Sequence, residues 1–403
     1  MKLTITAILL FAVLMVNAQH LVQFGQPDSV YSAILKENRP LWIYTPPQDT
    51  PYFSKQVFPV IYMLDGDGYF ATLQSMIFQL STVNDNTALP QMIIVGIPNT
   101  RNHRLRDLTP SADSAVPGSG GGEAFTSFLE KELIPYIEKK YATAPFRILA
   151  GHSLGGLMAV NTLINHPSLF NAVIAGDPSI FWNHSYLLKQ TGQRLKEADL
   201  QHKACYIAIA HTMQPGLDTI AIRTDSSLGA VHTNAIFSLA NDLRAHPGNG
   251  LRWGYKYYED DDHQSVPVIA LYDGLRFIFH HNRFPGFLYQ DNSPADSVAK
   301  VVTSYYKMLT RELGYTVRPR ESQYNFLGYR LLNDKNFEKA RMIFQLNIYF
   351  YPERFNPYDS MGDYYMATKD PAQAASYWKK ALSIQYNKET RDKLDKLQQP
   401  SSH

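Results

Sequence analysis

Cysteine is almost missing from this chain: one thiol, Cys205, among 403 residues. That excludes an intramolecular disulfide framework and a multi-cysteine metal site. A surplus of charge of one sign is missing too, since 38 Lys and Arg face 36 Asp and Glu. Nucleic-acid affinity rests on a basic surface, so no nucleic-acid partner is expected. Long apolar runs are also lacking. The longest lies near the start, from Ile5 to Val16, and is too short to cross a bilayer comfortably. What the chain does have is core material: 45% of residues are hydrophobic and only 18% charged, so most of it can bury a core. The length suggests two domains, or one large domain with an appendage.

The apolar run follows a short basic start, Met1-Lys2-Leu3, and ends at Asn17-Ala18-Gln19. This pattern reads as a secretory signal peptide over residues 1–18, with Val16-Asn17-Ala18 before the cut. The competing reading is a membrane anchor. No cysteine stands where a bacterial lipoprotein would carry one. The expectation is a secreted or periplasmic protein with no membrane span in its mature form. With a single thiol, packing alone must hold it together.

Residues 19–285 alternate short apolar runs with amphipathic stretches. Strands are expected at Leu41–Tyr44, Val60–Leu64, Met92–Ile97, Phe146–Ala150, Ala172–Ala175, Cys205–Ala210 and Arg252–Tyr258. Helical spacing marks Phe125 to Ile137, Leu154 to Asn165 and roughly Ser226 to Leu243. Fully apolar strands separated by helices predict a mostly parallel sheet covered on both faces, an α/β domain. Strand-like runs cease after Pro285-Gly286. Residues 286–319 read as a helical linker containing a helix over Ala295–Leu313. In 320–403, Gly328, Ala340 and Phe344 recur 34 residues later as Gly362, Ala374 and Trp378. That is the period of a tetratricopeptide helix pair, so an all-α helical-repeat tail is expected. Its tyrosines Tyr324, Tyr329, Tyr358 and Tyr365 are either groove contacts for a protein partner or core.

The most informative stretch is Gly151-His152-Ser153-Leu154-Gly155, which follows an apolar strand and precedes an apolar helix. Gly-x-Ser-x-Gly in that setting is a nucleophile elbow. Small residues are needed because the turn is sharp and the backbone around the serine is crowded. Ser153 is the expected nucleophile, and the Leu154 N–H, opening the helix, the expected donor to a developing oxyanion. A base should follow the last strand, and His263, after Asp260-Asp261-Asp262, is placed for it. His232 falls inside a helix and fits worse. The acid should lie between the Cys205–Ala210 strand and the next helix. Asp225 is favoured there, with Asp218 the alternative and a dyad without an acid the third option. Asp225 at a helix entry could equally be a cap. A second oxyanion donor is expected after Val60–Leu64, where Asp65-Gly66-Asp67-Gly68 places the Asp67 amide. That acidic pair lacks the spacing of an EF-hand, so no metal is expected.

Several motifs occur together in one order: Tyr62-Met63-Leu64-Asp65-Gly66, Arg106-Asp107-Leu108-Thr109-Pro110, the elbow, Asp177-Pro178-Ser179-Ile180-Phe181-Trp182, and Asp262-His263-Gln264-Ser265-Val266-Pro267. From Ser29 to about Phe279 the chain resembles the esterase family within the α/β-hydrolases that includes enterobactin and feruloyl esterases. The resemblance implies an α/β-hydrolase sandwich, ester hydrolysis with Ser153 and His263 catalytic, Trp182 lining the substrate pocket, and no cofactor. Siderophore, feruloyl and acetylated-sugar esters stand open as the small-molecule substrate. The rival reading is a catalytically idle hydrolase domain that binds a protein partner through its helical tail.

Overall fold

The computed structural model describes residues 24–100, 103–213, 220–284, 286 and 293–398. The expected signal peptide and Asp218 lie outside them. Eight strands form one sheet: β1 (Gln26–Ser32), β2 (Glu37–Tyr44), β3 (Phe58–Leu64), β4 (Ile93–Ile97), β5 (Thr143–His152), β6 (Ala172–Gly176), β7 (Ala204–Ala210) and β8 (Arg252–Tyr258). Their order is β1-β2-β4-β3-β5-β6-β7-β8. β1 and β2 make an antiparallel hairpin, β2 runs antiparallel to β4, and every other pairing is parallel. β1 is an edge strand of mostly polar, outward residues, so no apolar run announces it.

The parallel strands are apolar on both sides because both sides are covered. In β3, Val60, Tyr62 and Leu64 face one hydrophobic core, and Ile61 and Met63 face the other. The strand period of two makes this division automatic. The first core is closed by helical residues of the stretch 122–140, by Leu154–Asn165 and by Leu228–Ala245. The second is closed by Gly66–Ser81 and Val266–Ile278. Cys205 is buried in the first core, and that burial pushes its thiol up to about 12, so it is inert packing.

Parallel strands end together, and this aligns the site. In β5 and β6, His152 pairs with Gly176; in β7 and β8, Ala210 pairs with Tyr258. Ser153, Asp177 and the loop carrying His263 therefore leave the sheet along one rim. Asp65 leaves β3 on the same rim, beside β5, at the point where the chain order reverses.

The C-terminal tail is helical throughout, with Ala295–Leu313 followed by Glu321–Asn333, Phe337–Phe350, Asn356–Ala367, Pro371–Ile384 and Lys388–Gln398. Gly328 and Gly362 sit at matching helix contacts. An added Cβ at Gly328 would stand 2.4 Å from the Phe344 ring, and one at Gly362 would stand 2.4 Å from the Trp378 ring. Both hairpins thus cross where a glycine admits an aromatic from the second helix. Tyr324 is buried against Phe350, and Tyr365 stacks on Tyr377. Tyr329 donates to Asp363 at 2.7 Å, and Tyr358 to the Pro352 carbonyl at 3.2 Å. Most of the tyrosine surface is therefore spent on internal packing.

The tail grips the sheet at the rim opposite the site. Glu321 accepts from the Ser54 amide at 2.7 Å, Ser322 donates to Asp49 at 2.7 Å, and Arg354 donates to the Tyr52 carbonyl at 2.9 Å. Those partners lie in the segment leading into the start of β3. Among the described residues, no helix is long and apolar enough to cross a membrane.

Gly362→Val tests the crossing. It should lower the melting temperature through overpacking of about 1–3 kcal/mol, while turnover of a small aryl ester is kept. An unchanged melting temperature would mean that the two helices do not meet at Trp378.

Candidate active site

The turn after β5 is built around Ser153, whose φ of 58° and ψ of −117° lie outside the ordinary regions for a residue with a side chain. Such a conformation costs on the order of 1–3 kcal/mol and survives only when its surroundings hold it. Here the Ser153 amide donates to the Gly176 carbonyl at 2.9 Å, while its own carbonyl accepts from Ser179 at 3.0 Å and from Leu157 at 2.9 Å. Gly151 is obligatory, because a Cβ there would meet the Gly155 carbonyl oxygen at 2.5 Å. The serine side chain is partly exposed on the rim, with its Oγ 3.2 Å from that of Ser179.

His263 sits in the loop after β8. Asp262 shapes that loop: its Oδ1 accepts from the Gln264 amide at 2.9 Å and the Ser265 amide at 2.8 Å, just before the helix Val266–Ile278. Asp262 is thus a turn-former. The ring of His263 lies 4.4 Å, centroid to centroid, from that of His152, the residue preceding Ser153. Its Nδ1 stands 2.6 Å from Oδ2 of Asp177. An ionised carboxylate only accepts, so Nδ1 carries the hydrogen and Nε2 is left to accept a proton.

The carboxylate that meets His263 is not the one expected from the sequence. Asp225 does not meet His263; its Oδ1 accepts from the Ser227 amide at 2.8 Å and from the Ser227 hydroxyl. Ser227 in turn caps the helix Leu228–Ala245, so Asp225 braces a helix entry. The carboxylate on His263 is that of Asp177, one residue past the end of β6. The sequence points to the segment after β7, whereas the sheet presents the carboxylate from the end of β6, the strand beside β5. A signal was present: a lone acid directly behind an all-apolar strand, adjacent in the sheet to the serine.

Asp177 is completely buried. Burial alone would push its carboxyl up, but hydrogen bonds from His232 and His263 outweigh that, and its pKa is held well below the usual carboxylate range. Its Oδ1 accepts the Ala210 amide at 3.0 Å, and its Oδ2 also meets Nε2 of His232 at 2.9 Å. His232, although it lies inside a helix, therefore reaches the same carboxylate as His263. His152 is buried close by; that burial, with His263 alongside, brings its imidazole down to about 4, so it stays neutral at neutral pH.

The expected oxyanion donors lie on two segments that the fold presses together. Leu154 opens the elbow helix, and Asp67 lies in the first turn of Gly66–Ser81. The turn between β3 and that helix is pinned by Asp65, whose carboxylate takes a two-pronged contact from Arg104 at 2.6 and 2.9 Å and a third from Asn99 at 2.6 Å. A Cβ at Gly155 would stand 3.2 Å from Asp65 Oδ2, so the turn rests on the elbow. Asp65 is thus engaged by an arginine, as a structural anchor. Trp182 is half-buried three residues past Ser179, and its indole donates to the Ser111 carbonyl at 3.0 Å.

Among the described residues, one group of side chains has the spacing of a metal site: Asp177, His232 and His263. Both imidazole nitrogens stand at hydrogen-bond length from a single oxygen, which accounts for the cluster as two N–H donors on one carboxylate.

Residues 32–213 match the family model described as "Putative esterase". Over 246 residues the chain is 30% identical to the siderophore enterobactin esterase of Emericella nidulans, covering 54% of this chain and 81% of the relative. It is 35% identical to the ferri-bacillibactin esterase BesA of Bacillus subtilis over 171 residues, 38% of this chain and 59% of that enzyme's length. Among solved structures, an IroE-like serine hydrolase from Shewanella oneidensis superposes with a TM-score of 0.66 at 29% identity, covering 81% of this chain and 99% of the other. The order of the eight strands, the elbow after β5 and these similarities agree: the chain belongs to the "Putative esterase" family of the α/β-hydrolase type.

Proposed function

We propose that this protein is an exported serine esterase that cleaves ester bonds of a siderophore through an acyl-enzyme. The observation that carries the reading is the 2.6 Å contact between Asp177 and His263 Nδ1 beside a strained nucleophile elbow. In this mechanism His263 Nε2 takes the proton of Ser153 as Oγ attacks the ester carbonyl. The imidazolium that forms is stabilised by the buried Asp177 carboxylate. Negative charge gathers on the carbonyl oxygen, where the amides of Leu154 and Asp67 are the proposed donors. His263 then returns its proton to the leaving alkoxide, and the alcohol departs. Water attacks the acyl-serine with the same imidazole as base, releasing the acid and restoring Ser153.

The siderophore is favoured as substrate because two relatives of this chain are named for such esters. The chain spans 59% of the length of one of them. Trp182 is assigned to the wall of the pocket. Export rests on the pattern of residues 1–18. The helical tail is assigned to stabilising the far rim of the sheet, with its remaining face available to a protein partner.

Purified protein should be compared on siderophore, feruloyl and acetyl-sugar esters, with the first turned over fastest. Ser153→Ala should lose about 10⁴-fold or more in kcat, with an unchanged circular dichroism spectrum. Retained turnover in that variant would refute the serine mechanism. Asp177→Asn should lose roughly 10³–10⁴-fold in kcat, while Asp225→Asn keeps kcat near wild type and loses only some melting temperature. A comparable loss of kcat in Asp225→Asn would return the orienting role to that residue.

A further inference from the structure

Two imidazoles on one carboxylate oxygen are more than an Asp-His pair requires. His263 reaches Asp177 Oδ2 from the rim loop and is partly exposed, as a base that meets substrate must be. His232 reaches the same oxygen from within the helix Leu228–Ala245 and is only 6% exposed. Its ring is packed against Phe181, with centroids 5.3 Å apart, and stands nearly perpendicular to that of His263 at 5.4 Å. Burial of that order sets it apart from His263, whose side chain is 29% exposed.

The geometry points to His232 as a positioning residue that acts through Asp177: its Nε2–H fixes the rotation of the carboxylate and takes up part of its charge, setting how strongly Asp177 pulls on His263. This inference rests on the reading of Ser153, His263 and Asp177 as the catalytic group. Among the described residues, three donors meet the carboxylate. The Ala210 amide holds Oδ1 from the end of β7, and the two imidazoles hold Oδ2. With Oδ1 tied to the sheet and Oδ2 tied to His232, the carboxylate cannot turn when His263 moves its proton. A buried carboxylate with fewer donors would keep more of its charge for the one imidazole left, and would hold the imidazolium more tightly. His232 therefore tempers the pair as well as aiming it. A proton shared among such closely coupled groups titrates as a property of the set.

Among the described residues, other groups lie beside this set. His152 packs on the His263 ring from the elbow, and Asp262 flanks His263 within its own loop. Tyr257, from β8, feels the charge of Asp177. None of these donates a hydrogen bond to Asp177, so changing His232 alters the carboxylate without removing another donor.

His232→Leu removes the donor, and His232→Gln offers an amide N–H close to where Nε2 lies. The readout is the pH profile of kcat/KM on an aryl ester, which reports groups of the free enzyme. In His232→Leu the acid limb should move up by about one pH unit, as the carboxylate's charge falls on His263 alone, and kcat should drop. In His232→Gln the limb should return most of the way to wild type. A purely structural histidine would give a lower melting temperature or less active protein with an unmoved limb, and that result overturns the inference. If His232→Leu does not fold, the wild-type protein still decides. Histidine-selective 15N NMR should find His232 protonated at Nε2 through neutral pH, and an Nδ1–H tautomer would overturn the inference equally. Turnover surviving Ser153→Ala would instead sink the underlying catalytic reading, so the two failures are distinguishable.

Discussion

Everything at this rim depends on keeping the Asp177 carboxylate charged although it has no contact with water. A buried charge without partners would neutralise itself or unfold its surroundings. One amide from β7 and two imidazoles prevent that, and each comes from a different element. The sheet order, the register of β6 beside β7, and the helix entry at Ser227 all serve to bring those donors to one point. Removing a donor from this buried carboxylate is costly because it strands the remaining charge.

The second constraint is steric. The elbow can hold Ser153 in its unusual backbone conformation because Gly151 and Gly155 allow the strand and helix to touch. The same close approach lets the turn after β3 lie on the elbow, with Asp65 clamped by Arg104 and Asn99. Strain at the serine is thus offset by ordinary packing and ion pairing one layer away. The tail contributes to none of this directly. It holds the segment leading into β3, at the rim where the parallel strands begin, through Glu321, Ser322 and Arg354.

Much of this was legible in the sequence, and for physical reasons. Strands buried on both faces must be continuous apolar runs, and β3 through β7 announce themselves that way. A glycine that admits an aromatic must recur with the repeat, as Gly328 and Gly362 do. The elbow is conspicuous because sharp turns restrict residue type. What stayed hidden was tertiary. β1 buries little and has no apolar signature. Asp225 and Asp177 look alike in one dimension, each an acid at the end of a segment, and only the strand order puts one of them against His263. His232 was read by its helix alone, yet the sheet beneath that helix gives it a partner 55 positions away.

Active-site labelling addresses the central claim most directly. The purified protein would be treated with an aryl-tagged fluorophosphonate, which phosphonylates only a serine activated by its base, and the adduct mapped by peptide mass spectrometry. One adduct per chain is expected, on Ser153, forming at least about 100-fold more slowly in Asp177→Asn, in keeping with the weight of an orienting acid. An adduct on another residue, or labelling of Ser153 at an undiminished rate without the Asp177 carboxylate, would contradict it.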